Sequence, residues 1–219
     1  MEPKASPAAM VLTRRFFATL IVSLSVSACS SRINSEINQM EHLKIRAECR
    51  LEEGKLSIAY WVQNITDRSV FLFDIIHRDF NGSEFPIDDG AYIEVSDETI
   101  IVSRKLFPVP DNLFVEAKNI PFVTRLLPGA SANGRVELQL PLTPRNPYET
   151  LDNMKPEAMV LPVQFELGYF LGSEGTERLG RSFPTDRGNL PGFDVFDESS
   201  QLLARTGLNA YLPILTDKD

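Results

Sequence analysis

The chain is poor in the residues that carry most chemistry. Its 219 residues include two histidines, two cysteines and one tryptophan. No G-x-S-x-G element marks a nucleophile elbow. No glycine-rich loop is set to cradle phosphate, and no Cys/His spacing matches a zinc site. Positive charge is short as well, with 22 basic against 30 acidic residues and a formal net charge of -8. A nucleic-acid partner needs a basic surface to displace counterions, so that class is set aside. Helical periodicity is scarce, and 15 prolines argue against a helical body. Hydrophobic residues, by contrast, make up 43% of the chain, the share of an ordinary globular domain.

The N-terminus has its own pattern. Residues 1–15 carry Lys4, Arg14 and Arg15 against a single acid, Glu2. From Phe16 to Ala28 there is no charge (FFATLIVSLSVSA). As a helix this stretch reaches only about 20 Å, short of the roughly 30 Å hydrocarbon core of a bilayer. A basic head, a short apolar stretch and a small-residue end predict a secretory signal peptide forming a cleaved N-terminal helix.

Val26-Ser27-Ala28-Cys29 resembles the lipobox of bacterial lipoproteins, in which an aliphatic and two small residues precede an invariant cysteine. The resemblance covers about the first 30 residues. It implies cleavage between Ala28 and Cys29, a diacylglycerol on the Cys29 thiol, and acylation of the new amino group, for instance by palmitate. Several acyl chains anchor firmly where one binds only marginally. Ser30, where inner-membrane lipoproteins of Gram-negative bacteria carry Asp, implies the periplasmic face of the cell envelope, and the outer membrane if the organism is Gram-negative. Thr13-Arg14-Arg15-Phe16-Phe17 also resembles the twin-arginine export motif, but Ala18 and Thr19 replace its Leu-Lys ending. Both export routes therefore stay open. Removing residues 1–28 takes away three basic residues and one acid, which brings the mature net charge to about -10. Residues 29–41 then read as a lipidated tether.

Beyond the tether, alternation with a period of two dominates. Leu43, Ile45, Ala47, Cys49 and Leu51 share one phase, against Lys44, Arg46, Glu48, Arg50 and Glu52. Cys49 therefore faces the core as a small hydrophobe. With Cys29 acylated it is the only thiol left, so no intramolecular disulfide forms. Leu56, Ile58, Tyr60 and Val62 repeat the pattern after a turn at Gly54. Val70-Phe71-Leu72-Phe73 is apolar on both faces, as a central strand should be. Further strands are expected at Ala91–Val95, Thr99–Ser103, Val136–Leu140, Val163–Leu171 and Leu202–Leu215, the last broken by Gly207 and Pro213. Glu149–Met159 has room for a turn or two of helix.

The expected fold is thus all-β, an antiparallel sandwich of seven to nine strands in one elaborated domain over residues 42–219. The pair Leu56–Asn64 and Ser69–Ile76, the segment Leu127-Pro128-Gly129-Ala130 leading into Gly134–Leu142, and Phe165–Leu171 with a last strand after it resemble bacterial immunoglobulin-like domains. That resemblance implies architecture only, because sandwiches host many unrelated functions.

Candidate site residues are few. His77 lies in Asp74-Ile75-Ile76-His77-Arg78-Asp79, with Asp88-Asp89 soon after, but this spacing matches no metal site, and neither a metal nor a cofactor is expected. Asp186-Arg187-Gly188-Asn189 reads as a polar turn rather than a Ca²⁺ loop. Leu106–Phe114 and Asn119–Phe122 form a connection rich in Pro and Phe. Phe107, Phe114 and Phe122 there either make an apolar ridge for a partner or cap one end of the sandwich. Three functions follow as expectations: a lipid-anchored envelope protein binding a protein or envelope component, an accessory of a larger envelope assembly, or a hydrolase whose active site carries no motif.

Overall fold

Thirteen strands, one 3₁₀ turn and their connections make up the described part of a computed structural model, which covers residues 38–110, 120–148, 154–173, 175–176, 180–193 and 198–217. The signal segment, Ala28, Cys29, most of the tether and Phe114 lie outside the described residues. In chain order the strands are β1 (Asn38–Gln39), β2 (Leu43–Glu52), β3 (Lys55–Asn64), β4 (Val70–His77), β5 (Ile87–Asp88), β6 (Tyr92–Ser96) and β7 (Thr99–Arg104). They continue with β8 (Phe122–Leu126), β9 (Ser131–Gln139), β10 (Met154–Leu171), β11 (Gly180–Thr185), β12 (Gly188–Phe193) and β13 (Leu202–Asp217).

Two sheets pack face to face, and the fold is an all-β sandwich. The smaller sheet has the order β1-β2-β3-β9. The larger runs β11-β12-β8-β4-β10-β7-β6, with β13 on β10 and β5 on β4. The period-two pattern explains the small sheet residue by residue. Leu43, Ile45, Ala47 and Cys49 of β2 and Leu56, Ile58, Tyr60 and Val62 of β3 are all buried. Leu51, the last member of the β2 series, emerges at the strand end and is exposed. Antiparallel pairing sets Ile58 opposite Val136 and Tyr60 opposite Gly134. The glycine is required there, because a Cβ at position 134 would stand 2.0 Å from Tyr60 Cζ. The Tyr60 ring instead crosses the interface and stacks on Phe165, with centroids 5.0 Å apart.

Two of the tight hairpins use residues in the left-handed region, where a two-residue turn matches the twist of its strands. Glu53 and Gly54 (φ 48° and 77°) join β2 to β3, and Asp97 and Glu98 (φ 48° and 57°) join β6 to β7. Asn64 closes the next turn: its amide donates to the Arg68 and Leu126 carbonyls, and its Oδ1 accepts from the Thr66 amide.

β4 is buried on both faces because it is central in the larger sheet. Val70 and Leu72 enter the core between the sheets, while Phe71 and Phe73 join Leu106, Val123, Phe170 and Phe193 in a second cluster on the outer face. β10 is the spine of that sheet. It pairs with β13 along most of its length, with β4 over Tyr169–Leu171, and in parallel with β7 over Val163–Leu167. The larger sheet is therefore mixed rather than purely antiparallel. The helical turn expected at Glu149–Met159 is corrected in its second half, where Met154–Met159 open β10 opposite β13. Long-range pairing overrides the local preference there. β13 also continues through Gly207 and Pro213 instead of breaking.

Candidate functional site

Most of the residues singled out in the sequence have structural partners. Phe122 is fully buried, with ring centroids 4.9 Å from His77, 5.5 Å from Phe85 and 5.7 Å from Phe183. It belongs to the packing of the larger sheet and presents nothing to a partner. Phe107 is half-buried, edge-on to Tyr92 at 5.0 Å and beneath the Lys105 ammonium at 4.9 Å. His77 faces two main-chain carbonyls, Arg78 O and Ile120 O, each 2.9 Å from one ring nitrogen. Asp186 and Arg187 form the β11–β12 turn, as a polar turn should. Among the described residues no group of three or more His, Cys, Asp or Glu could hold a metal ion.

Asp74 does not join His77 or Asp79. It lies in the core beside Arg104, whose guanidinium donates to the main-chain carbonyls of Asp74 (2.8 Å), Asp89 (2.8 Å), Gly90 (3.0 Å) and Arg135 (3.0 Å). One buried arginine thus ties together backbone from both sheets. Burial pushes the Asp74 carboxyl above the ordinary carboxylate range, against the opposing pull of Thr124 and Arg104. Tyr60, next to both, is pushed well above the usual phenol range, first by desolvation and then by the Asp74 charge. Asp88 and Asp89 go the other way. Desolvation acts to raise Asp88, but hydrogen bonds from Arg145 (2.7 Å) and the Gly90 amide outweigh it and hold the carboxyl low. A two-pronged Arg187 contact at 2.7 and 2.8 Å holds Asp89 low. These pairs fasten the β5–β6 loop to its neighbours.

The outer face of β10 and β13 is built differently. In β10, Phe165 and Leu167 point into the core and Gln164 and Glu166 point away from it. Glu166 is nevertheless buried, because the segment after β7 folds over it. Its carboxylate accepts from Lys105 Nζ (3.1 Å), Arg205 Nε (2.7 Å) and Gln164 Nε2 (3.2 Å). Lys105 also contacts Glu94 of β6 at 2.5 Å. Gly168 allows this cover, since a Cβ there would meet Gln201 Oε1 at 2.4 Å and the Lys105 backbone at 3.0 Å. Gln201 in turn clamps the main chain of Leu106 with two hydrogen bonds.

Next to this charged seam the β10–β13 register breaks. Gln164 faces Gly207 and Pro162 faces Tyr211, so four steps along β13 oppose two along β10. Such a bulge bends the strand and re-aims its side chains. Asn209 takes the left-handed conformation (φ 48°) that its short amide tolerates. Leu208 and Ala210 still point into the core, and Gly207, Asn209 and Tyr211 face out. The result is an open groove of about 270 Å³ lined by Thr99, Pro162, Gln164, Gly207, Asn209 and Tyr211. Tyr211 is 71% exposed, a large value for an aromatic residue. A Cβ at Gly207 would meet nothing within 4 Å, so the missing side chain leaves space in the groove.

Neither Glu166 nor the groove is foreshadowed in the sequence. Gln164 and Glu166 have the spacing of any solvent-facing pair, and Gly207 reads as a strand breaker. The one available signal is Gly207-Leu208-Asn209 within an alternating strand, since an isolated glycine in such a run marks a bulge. No protein-family model, curated protein or solved structure matches the chain.

Proposed function

We propose that this protein is a bacterial lipoprotein, exported, acylated at Cys29 and held on the periplasmic face of the cell envelope, and that its β-sandwich binds an envelope component. The outer membrane is the preferred site. The anchor reading rests on the lipobox resemblance at Val26–Cys29 and the apolar stretch before it. The binding reading is carried by one observation, the open groove at the β13 bulge with its exposed tyrosine. Ligand sites are concave, with a few polar groups at fixed positions and an apolar or aromatic surface, and this groove has that composition. The Phe107–Phe122 connection is the weaker candidate, because Phe122 is fully buried and Phe107 is held under Lys105.

Two measurements test the reading. Cells fed radioactive palmitate should label the wild-type protein and not Cys29→Ala, which should be found as unprocessed precursor or in the soluble fraction. Label retained by Cys29→Ala would remove the anchor. Membrane-derived material should co-purify with the wild-type chain and be lost on Gly207→Val. Equal recovery would remove the groove as the binding site.

A further inference from the structure

We infer that the β13 groove takes a neutral carbohydrate. This deepens the proposed function and rests on the groove being its binding site. The chemistry of the lining selects the class. Thr99, Gln164, Asn209 and Tyr211 supply a hydroxyl, two amides and a phenol, and no side chain ionised at neutral pH lines the groove. An anionic ligand would find no cation in the groove, and a chain of net charge -8 around it. A purely apolar ligand would bury those amides without partners, which costs affinity. An extended peptide adding by backbone pairing needs an open strand edge. The groove is instead lined by the outward face of β10 and β13, so a peptide adding to a strand edge would lie beside it and not in it. A sugar ring matches what remains: its C–H face lies against an aromatic ring, and its hydroxyl rim both donates and accepts. Tyr211 supplies the ring, largely exposed and with no hydrogen bond among the described residues.

Part of the site is set in advance. A carboxylate only accepts, so the contact between Glu166 Oε1 and Gln164 fixes which end of the amide is NH₂. Glu166 is itself held by Arg205 and Lys105 and its side chain is 4% exposed. Gln164 therefore meets a ligand with its Oε1 as acceptor in a fixed orientation. Gly207 keeps the groove open, and its backbone needs no glycine, so its lack of a side chain is not explained by the turn.

The test uses the full chain in a polyoxyethylene detergent, which lacks a sugar headgroup. Probes are immobilised maltose-, cellulose- and chitin-type tetrasaccharides, with dextran sulfate as the anionic control. At least one neutral probe should bind. Tyr211→Ala and Gly207→Val should each weaken it at least about tenfold with unchanged melting temperature, and Tyr211→Phe should stay within about threefold. No neutral probe binding, tighter binding of dextran sulfate, or binding indifferent to Gly207→Val would each overturn the proposal. If envelope material still co-purifies and Gly207→Val abolishes that, the groove survives as a binding site and only the carbohydrate falls. If neither is seen, the groove reading falls with it.

Discussion

The Cys49 thiol donates to the main-chain oxygen of Leu208, with Sγ and O 3.7 Å apart. β2 of the small sheet thus reaches the inner side of the β13 bulge, directly behind the groove. The thiol reaches a carbonyl in the stretch of β13, between Gly207 and Tyr211, where the register with β10 is interrupted.

Burial pushes the Cys49 thiol above its ordinary range, and the residue is only 3% exposed. Thiolate is the reactive form, so both effects slow modification. A maleimide should label native protein far more slowly than urea-unfolded protein. Fast native labelling would mean that β2 is not phased as described.

Gly134→Ala should destabilise the fold by about 1–3 kcal/mol, the usual cost of overpacking. The added methyl meets the Tyr60 ring, and that ring cannot retreat from its stack on Phe165. Denaturant titration of Gly134→Ala alone and combined with Tyr60→Leu checks the cause. The pair should recover part of the loss, because the clash is gone.

Legibility in the sequence divided along the same line. Leu43 to Val62 could be placed on one face because each residue's environment follows from its parity in the strand. Val70–Phe73 could be read as central because both parities are apolar. Glu166 and Arg104 could not, because their burial depends on which distant segments lie over them. Lys105 covers Glu166, and Gly90, Asp89 and Arg135 carbonyls receive Arg104. The β13 bulge is equally non-local: it exists only relative to the β10 register. Met154–Met159 failed for that reason too.

Phe122→Ala should cost about 3–5 kcal/mol, as for a buried aromatic, whereas Phe107→Ala should cost about 1 kcal/mol by removing one edge contact and one ammonium contact. Thermal melts of the two variants compare them directly. A larger loss for Phe107→Ala would mean that this connection carries more of the core than its half-burial indicates.

The carboxyls predict opposite pH responses. Asp88 and Asp89 have lowered folded-state values, so their contribution is present above the unfolded carboxylate range and is lost as pH falls through the folded values. Asp88→Asn should therefore flatten the acid side of the stability profile. Asp74 is raised, so its ionised form disfavours the fold at neutral pH and protonation relieves this as pH falls. Asp74→Asn should match or exceed wild-type stability at pH 7 and lose that advantage in acid. Melting temperatures from pH 7 to pH 3 distinguish the two, and parallel profiles for all three proteins would refute both assignments.

Lys105→Met should be destabilising because it removes one of two cations from a buried carboxylate. With Arg205 still in place the loss should fall below the about 3–5 kcal/mol of a fully broken buried pair. Lys105→Met/Glu166→Gln should restore much of it. If the double variant is no better, the seam is screened by solvent and does not support Gln164.

The packing of β13 on β2 also sets a schedule. β13, at the end of the described chain, lies over the first long strand and zips onto β10, while β7 must wait for β10 to arrive from about sixty residues further on. Apart from the local hairpins, the pairings that assemble both sheets join strands distant in sequence, so folding belongs to the slow class in which loop closure precedes reward. A nascent chain cannot complete the pairing along β10 or the cover over β2 until β13 is free. Until then the β10 edge that β13 pairs with, and the core positions that Leu208, Leu212 and Ile214 fill, stand open, which gives any factor that escorts unfolded chains a long interval in which to act.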